Sequence, residues 1–283
     1  MDNISLKALA KINLGLDVVR RRDDGYHEVR MIMQTINLFD RLEIKKIKES
    51  AIKIHTNLFF LPVNENNLVY KAAKLLIDEF GIQEGVSVGL TKKIPVAAGM
   101  AGGSTDAAAM LFGMNRLFGL GLSKKQLMER GVKIGADVPY CIMRGTALAE
   151  GIGDKLSPLP AMVKCPVLIA KPQISVSTKF VYQNLKLDDK TVHPDIDRLI
   201  EDIRNKDLKA VSDHMGNVLE SVTIPNYPVI SQITEPMMSG SGPTVFGLFD
   251  DSRTAQLAFG KIKRSGLAKQ VYLTSIYNNN YPG

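Results

Sequence analysis

One stretch limits the possible folds more than any other: "PVAAGMAGGSTDAAAML", residues 95–111. It follows the strand-like run "VSVGLTKKI" and leads into "STDAAAMLFGMNRLF", whose Ala107, Met110, Leu111, Met114, Leu117 and Phe118 share one helical face. The segment therefore reads as strand, glycine turn and helix. The helix is expected to start at Ser104, with Asp106 in its first turn, where a negative charge suits the helix dipole. Backbone N–H groups in such a turn form a concave set of donors that binds phosphate without any side chain. Gly99, Gly102 and Gly103 permit positive φ and close approach, while Ala97, Ala98 and Ala101 stay small. Taken alone, the same residues make an ordinary tight strand-to-helix turn equally well. Familiar glycine motifs do not fit. Gly103 and Ser104 have no lysine between them, no G-x-G-x-x-G occurs in the loop, and "SGSGP" (239–243) is not G-x-S-x-G. A phosphate held here must find its cation elsewhere in the chain.

The surroundings alternate strands with helices. "ISLKALAKINLGLDVV" and "EVRMIMQTINL" are strand-like around a turn at "DDG". "NLVYKAAKLLIDEFG" is a helix capped by Asn66 or Asn67 and ended by Gly81, burying Val69, Ala72, Ala73, Leu76 and Phe80. "LSKKQLMERGVKIGAD" opens with a capping box, Ser123 and Gln126. Around "PLPAMVKCP" three prolines and a lysine change the texture, which puts a domain boundary there: 1–160 and 161–283. Beyond it come a strand "VLIAKP", a helix from Thr178, two polar helices between Pro194 and Val222, and "SGSGPTVFGLF". That order implies α+β or α/β architecture in both halves.

Composition excludes several classes. Hydrophobic residues at 45% and charged residues at 23% are those of an ordinary globular chain, not a disordered or fibrous one. Thirty-six basic against 29 acidic residues give a formal charge of +7. This suits a nucleic acid, a polyanionic small substrate or simply a basic enzyme. No strip of clustered Lys/Arg with interleaved aromatics supports RNA binding, which leaves a basic RNA-binding protein as the weaker alternative. Two cysteines and four scattered histidines without CxxC or HxxxH spacing speak against structural zinc. With no signal-like N-terminus and no apolar run of membrane length, the expectation is a cytoplasmic protein with reduced thiols.

Three segments together resemble the GHMP small-molecule kinases. "PVAAGMAGGSTDAA" is similar to their P-x-x-x-G-L-[GA]-G-G-[ST]-[ST] phosphate loop, with Met100 for leucine and Thr105 for the commoner serine. "MSGSGPTVFGLF" is similar to their second glycine motif. "KALAKINLGLDVVRRRDDGYHEV" and "GADVPYCIMRGTALAEGIGDKL" resemble, more narrowly, the branch that acts on a cytidine-diphosphate-linked methylerythritol. The resemblance implies an α+β, two-domain GHMP kinase fold. Its N-terminal α/β domain is ribosomal-protein-like, its C-terminal α/β sandwich is ferredoxin-like, and the active site lies in the cleft between them.

The same resemblance implies ATP as phosphoryl donor, with Mg²⁺ carried by it, and the 2-hydroxyl of the methylerythritol moiety as acceptor. It makes Lys11 and Asp137 the catalytic pair. ATP phosphates would be wrapped by Pro95, Val96, Ala97, Ala98, Gly99, Met100, Ala101, Gly102, Gly103, Ser104 and Thr105. Ser104 or Thr105 is placed to reach a phosphate oxygen or Mg²⁺, and no carboxylate is assignable as a metal ligand. Substrate contacts fall to Asn13, Tyr26, His27, Thr178 and Tyr182, and to Ser239, Gly240, Ser241 and Gly242. Asn13 lies two residues from Lys11 and so shares its face on a strand. Tyr26, His27 and Tyr182 would hold cytosine between aromatic faces and polar edges. Without the resemblance, the residues alone favour an exposed strand lysine at Lys11 and an ordinary turn residue at Asp137. A mevalonate- or homoserine-type kinase is the nearer alternative, and "GYHEV" and "GADVPYCI" speak against it. One departure stands out: "TIPNYPVISQITEPMM" is shorter than the family's stretch before the second glycine motif, and Pro236 interrupts it. Oligomeric state is left open.

Overall fold

Residues 2–233 and 237–278 are described by a computed structural model. They divide into two compact units that do not follow a single cut in the chain. The first comprises residues 1–10, 38–96 and 101–143; the second comprises 11–37, 97–100 and 144–283.

In the first unit the sheet is built from the ends of β1 (Asn3–Arg21) and β2 (His27–Ile47), with β3 (Ile52–Thr56) and β4 (Gly85–Thr91). β4 pairs antiparallel with β2, Arg41 opposite Thr91, and parallel with β3, Ile52 opposite Val86. Helix α1 (Leu68–Phe80) connects β3 to β4, and α2 (Gly102–Leu117), α3 (Lys124–Val132) and α4 (Val138–Met143) follow. Caps behave as local chemistry dictates. Asn67 accepts from the Val69 N–H, Gly81 ends α1 at φ +61°, and Ser123 and Gln126 complete the capping box of α3. Val69, Ala72, Ala73 and Leu76 are buried as expected, but Phe80 is 40% exposed. Its ring lies beside the Arg130 guanidinium, 5.8 Å from the centroid, which suits an aromatic at a helix end better than full burial.

α2 departs from the reading in its first turn. It starts at Gly102 rather than Ser104, with Ala101 in the left-handed region as N-cap (φ +55°). Asp106 therefore sits one turn inside the helix and is buried, 3% exposed. It faces Lys92 instead of serving the helix terminus.

In the second unit β5 (Thr146–Glu150) pairs antiparallel with β2, Met31 opposite Ala149, and with β6 (Lys155–Pro158). Next in the chain come β7 (Pro166–Lys171), α5 (Thr178–Asn184), α6 (Ile196–Asn205), α7 (Leu208–His214), β8 (Gly216–Asn217) and α8 (Glu220–Asn226). They are followed by β9 (Met237–Met238), β10 (Val245–Leu248), α9 (Ser252–Ser265) and β11 (Gln270–Ser275). β8 runs parallel to β1, Gly15 opposite Gly216. Among the described residues a separate antiparallel sheet runs β11-β7-β10-β9, with Val167, Ile169, Val245 and Phe246 in its core. The two polar helices expected between Pro194 and Val222 are α6 and α7. The chain then makes a third, α8, which carries Pro225. Pro236, expected to interrupt a helix, lies outside the described residues. Among the described residues no helix is long and apolar enough to cross a membrane.

Candidate active site

In the second unit the middle of the glycine loop, residues 97–100, meets Lys11 and the second glycine motif. Strand alternation puts Lys11 and Asn13 on one face of β1, and both are buried, 5% and 0% exposed. The Lys11 ammonium donates to Asn13 Oδ1 at 2.7 Å and to the Gly99 carbonyl at 2.9 Å. Asn13 Nδ2 in turn lies 3.4 Å from Met31 Sδ, so both ends of its amide are engaged inside the protein. The Gly99 carbonyl also accepts from Ser239 Oγ at 3.0 Å. Gly99 is at φ +70°, and a Cβ there would stand 2.0 Å from the Ser239 carbonyl oxygen, so no side chain fits. Ala97 also takes a positive φ, +51°. A left-handed alanine costs about 1–2 kcal/mol, and such strain gathers where backbone shape is put to use.

The second motif is held from below. Asn217 Nδ2 donates to the carbonyls of Met238 and Gly240, both at 2.8 Å. Thr223 donates to the Ser241 carbonyl, and the Ser241 and Thr178 hydroxyls are 2.8 Å apart. Ser239 and Ser241 are buried, while Gly240 and Gly242 take positive φ. Thr178 thereby connects the motif to a neighbouring cavity of about 460 Å³, whose lining includes Arg21, Tyr26, His27, Thr178, Lys179 and Tyr182. The His27 and Tyr182 rings lie 5.0 Å apart, tilted by 42°. Tyr26 is 62% exposed at its mouth. Burial and then the charge of Arg21 lower the His27 pKa, leaving a neutral imidazole able to donate at one nitrogen and accept at the other. A larger cavity of about 740 Å³ near Lys186, Lys190, His214 and Glu220 includes Asn217 in its lining but none of the residues of the aromatic cavity.

In the first unit lie the two ends of the loop. No side chain caps α2, which leaves its leading N–H donors to a ligand. Thr105 is buried and spends its hydroxyl on the Leu9 carbonyl at 2.8 Å, whereas Ser104 stays partly exposed. Of the two hydroxyls expected at phosphate or Mg²⁺, that of Ser104 is the more exposed. Asp137 is half-buried in the turn before α4, its carbonyl accepting the Cys141 N–H at 3.0 Å. Among the described residues no cluster of three His, Cys, Asp or Glu side chains could hold a metal.

The sequence reading missed Asp40, Lys92 and the role of Asp106. Lys92 Nζ pairs with Asp40 and, at 2.5 Å, with Asp106; all three are buried. Asp40 Oδ1 also accepts the backbone N–H groups of Lys93 and Ile94, at 2.5 and 2.8 Å. A charged residue at a strand end is ordinarily solvated, so neither residue type nor spacing signals this arrangement. Asn217 was missed for a similar reason, as one polar residue in a polar segment.

Comparison with known proteins gives the arrangement a family. The "GHMP kinases N terminal domain" matches residues 67–145 and "GHMP kinases C terminal" matches 199–267. A 4-diphosphocytidyl-2-C-methyl-D-erythritol kinase of Lachnospira eligens is 57% identical, covering 98% of this chain and 99% of its own. One of Clostridium perfringens is 48% identical at 98% and 99% coverage. Among solved structures, a 4-(cytidine 5'-diphospho)-2C-methyl-D-erythritol kinase superposes with a TM-score of 0.83 at 29% identity, covering 98% of this chain and all of its own. A homoserine kinase from Cytophaga hutchinsonii shares the fold, with a TM-score of 0.78 at 20% identity and coverage of 98% and 95%. With both family halves in place and full-length identity this high, the chain belongs to the GHMP kinases, within the 4-diphosphocytidyl-2-C-methyl-D-erythritol kinases.

Proposed function

We propose that the protein transfers the γ-phosphoryl group of ATP to the 2-hydroxyl of 4-diphosphocytidyl-2-C-methyl-D-erythritol, giving the 2-phosphate and ADP for isoprenoid precursor synthesis. The observation that carries this reading is the Lys11 ammonium lodged on the Gly99 carbonyl, which brings a buried cation to a glycine loop that has none of its own. Phosphoryl transfer asks a protein mainly for positioning and charge neutralisation. Backbone donors of residues 95–105 are assigned to the triphosphate, and Lys11 to the charge on the transferring group. Asn13 fixes the Lys11 side chain and, in this reading, contributes to acceptor binding. Asp137 is assigned to take the proton of the acceptor hydroxyl as its oxygen bonds to the γ-phosphorus and the bond to the β-phosphate oxygen breaks.

The acceptor's cytosine is assigned to the cavity of Tyr26, His27 and Tyr182. Its ring has aromatic faces to stack on, and the neutral His27 has both a donor and an acceptor for its edge. Arg21 and Lys179 at the same cavity suit the diphosphate. Ser239, Gly240, Ser241 and Gly242 are assigned to the acceptor's polar end. Mg²⁺ fits as an ion carried by the triphosphate, which keeps most of its ligands as phosphate oxygens and water. Ser104 is the hydroxyl that could join them, and the ion's contribution is to neutralise phosphate charge. The reading expects a cytosolic enzyme.

A coupled ADP-release assay with the cytidyl acceptor, mevalonate and homoserine tests this. Turnover with the cytidyl compound, yielding a new phosphomonoester resonance by phosphorus NMR, is the expected result. Turnover confined to mevalonate or homoserine would reject it.

A further inference from the structure

β4 ends at Thr91, the chain runs through Lys92, Lys93 and Ile94 into the glycine loop, and the loop joins α2 at Gly102; both of these ends are tied to one buried group of charges. Asp40, on β2, is fully buried and uses Oδ1 to accept the N–H groups of Lys93 and Ile94, the residues that lead into the loop. Its Oδ2 accepts from the Lys92 ammonium. That ammonium reaches Asp106 at 2.5 Å, one turn inside α2, and a Cβ placed on Gly102 would be 3.4 Å from it. Lys92 is therefore directly beneath the first residue of the helix whose uncapped N-terminus faces any ligand of the loop.

With two carboxylates around one ammonium the group carries no surplus positive charge, so it does not supply the cation that the loop lacks. What it supplies is distance. Rupture of either bond would free one end of the loop from the other, and the backbone donors at both ends must converge on the same phosphates. We propose that Asp40, Lys92 and Asp106 are positioning residues for the nucleotide, a buried clamp that fixes the spacing between the two ends of the phosphate loop. The proposal rests on reading that loop as the triphosphate site.

Asp106→Ala is the informative variant because it detaches α2 while leaving the Asp40–Lys92 pair intact and charge-balanced. Loss of positioning alone is expected to raise the ATP KM about ten-fold, with the KM of the acceptor changed less than about two-fold. Asp106→Asn keeps an oxygen that accepts from Lys92 and should return the ATP KM to near its parental value. Asp106→Glu keeps the carboxyl group but adds a methylene to the clamp, and it also raises the ATP KM alone; it serves if the alanine variant does not fold. A group with a purely structural role would lower the melting temperature and leave both KM values unmoved, which overturns the proposal. So would an asparagine variant as impaired as the alanine one.

Failure of the underlying reading is visible separately. Ala97 is exposed and already at positive φ, where aspartate is tolerated, so Ala97→Asp places a carboxylate on the loop without disturbing the clamp. If that variant binds ADP like the parent in a calorimetric titration, the loop is not the phosphate site and the clamp loses its purpose. If it loses ADP binding while Asp106→Ala keeps a parental ATP KM, the loop reading stands and the clamp is refuted.

Discussion

Lys11 shows how much a single residue depends on its partners for meaning. On sequence it is a lysine in a strand; in the structure it is buried, gripped by Asn13 and lodged on the Gly99 carbonyl. Asp137 has the complementary assignment, and its test is kinetic. Asp137→Asn keeps the size of the side chain and removes its basicity, so kcat should fall by about 10²–10⁴ while ATP binding stays within a few-fold. A near-parental kcat in steady-state assays would remove Asp137 from its role. Tyr182 is tested through binding instead. Loss of one stacking ring from the His27 cavity should raise the acceptor KM about ten-fold, and a Tyr182→Ala variant in which only the ATP KM moves would displace cytosine from that cavity. Both assignments come from the family resemblance of the sequence around them. Asp40 and Lys92 were not legible, since they meet across 52 positions and each alone reads as an ordinary surface charge.

Among the elements, those governed by local chemistry were the readable ones. Asn67, Gly81, Ser123 and Gln126 cap their helices as their residue types require. The start of α2 was misread because serine is a common N-cap, whereas the chain turns into the helix through Ala101 in a left-handed conformation that nothing in alanine's chemistry announces. Gly99 was read as glycine for the sake of an incoming phosphate. The structure adds that it is glycine because the Ser239 backbone crosses it. Gly99→Ala therefore has two separable costs, about 1–2 kcal/mol for the left-handed backbone and about 1–3 kcal/mol for forcing the Ser239 carbonyl away. Thermal unfolding should show a loss of more than about 2 kcal/mol, with Ser239→Ala unable to restore it because the clash is with backbone. Full recovery in the double variant would mean that the two glycine segments touch only through the serine hydroxyl.

For the whole molecule the buried carboxyls have a consequence for stability. Burial, set against the charge of Lys92, pushes the Asp106 carboxyl from its ordinary 3.8 up to about 8. Burial also works against the Lys92 ammonium, but Asp106 and Asp40 outweigh it and raise its pKa, so it stays charged. Between pH 4 and 8 the folded protein then keeps a proton on Asp106 that the unfolded chain has released. Folding takes up that proton, so this group disfavours the folded state increasingly as pH rises through the window; the penalty is absent below it and constant above. Asp106→Asn carries no such group. The unfolding free energy of the asparagine variant, relative to the parent, should therefore climb from pH 4 to pH 8 by up to about 1.4 kcal/mol per unit and then level off. Urea titrations of both proteins at pH 5 and pH 8 decide it. A variant whose stability runs parallel to the parent between those values would mean that Lys92 keeps Asp106 ionised throughout, with its burial cost met in full by the ion pair.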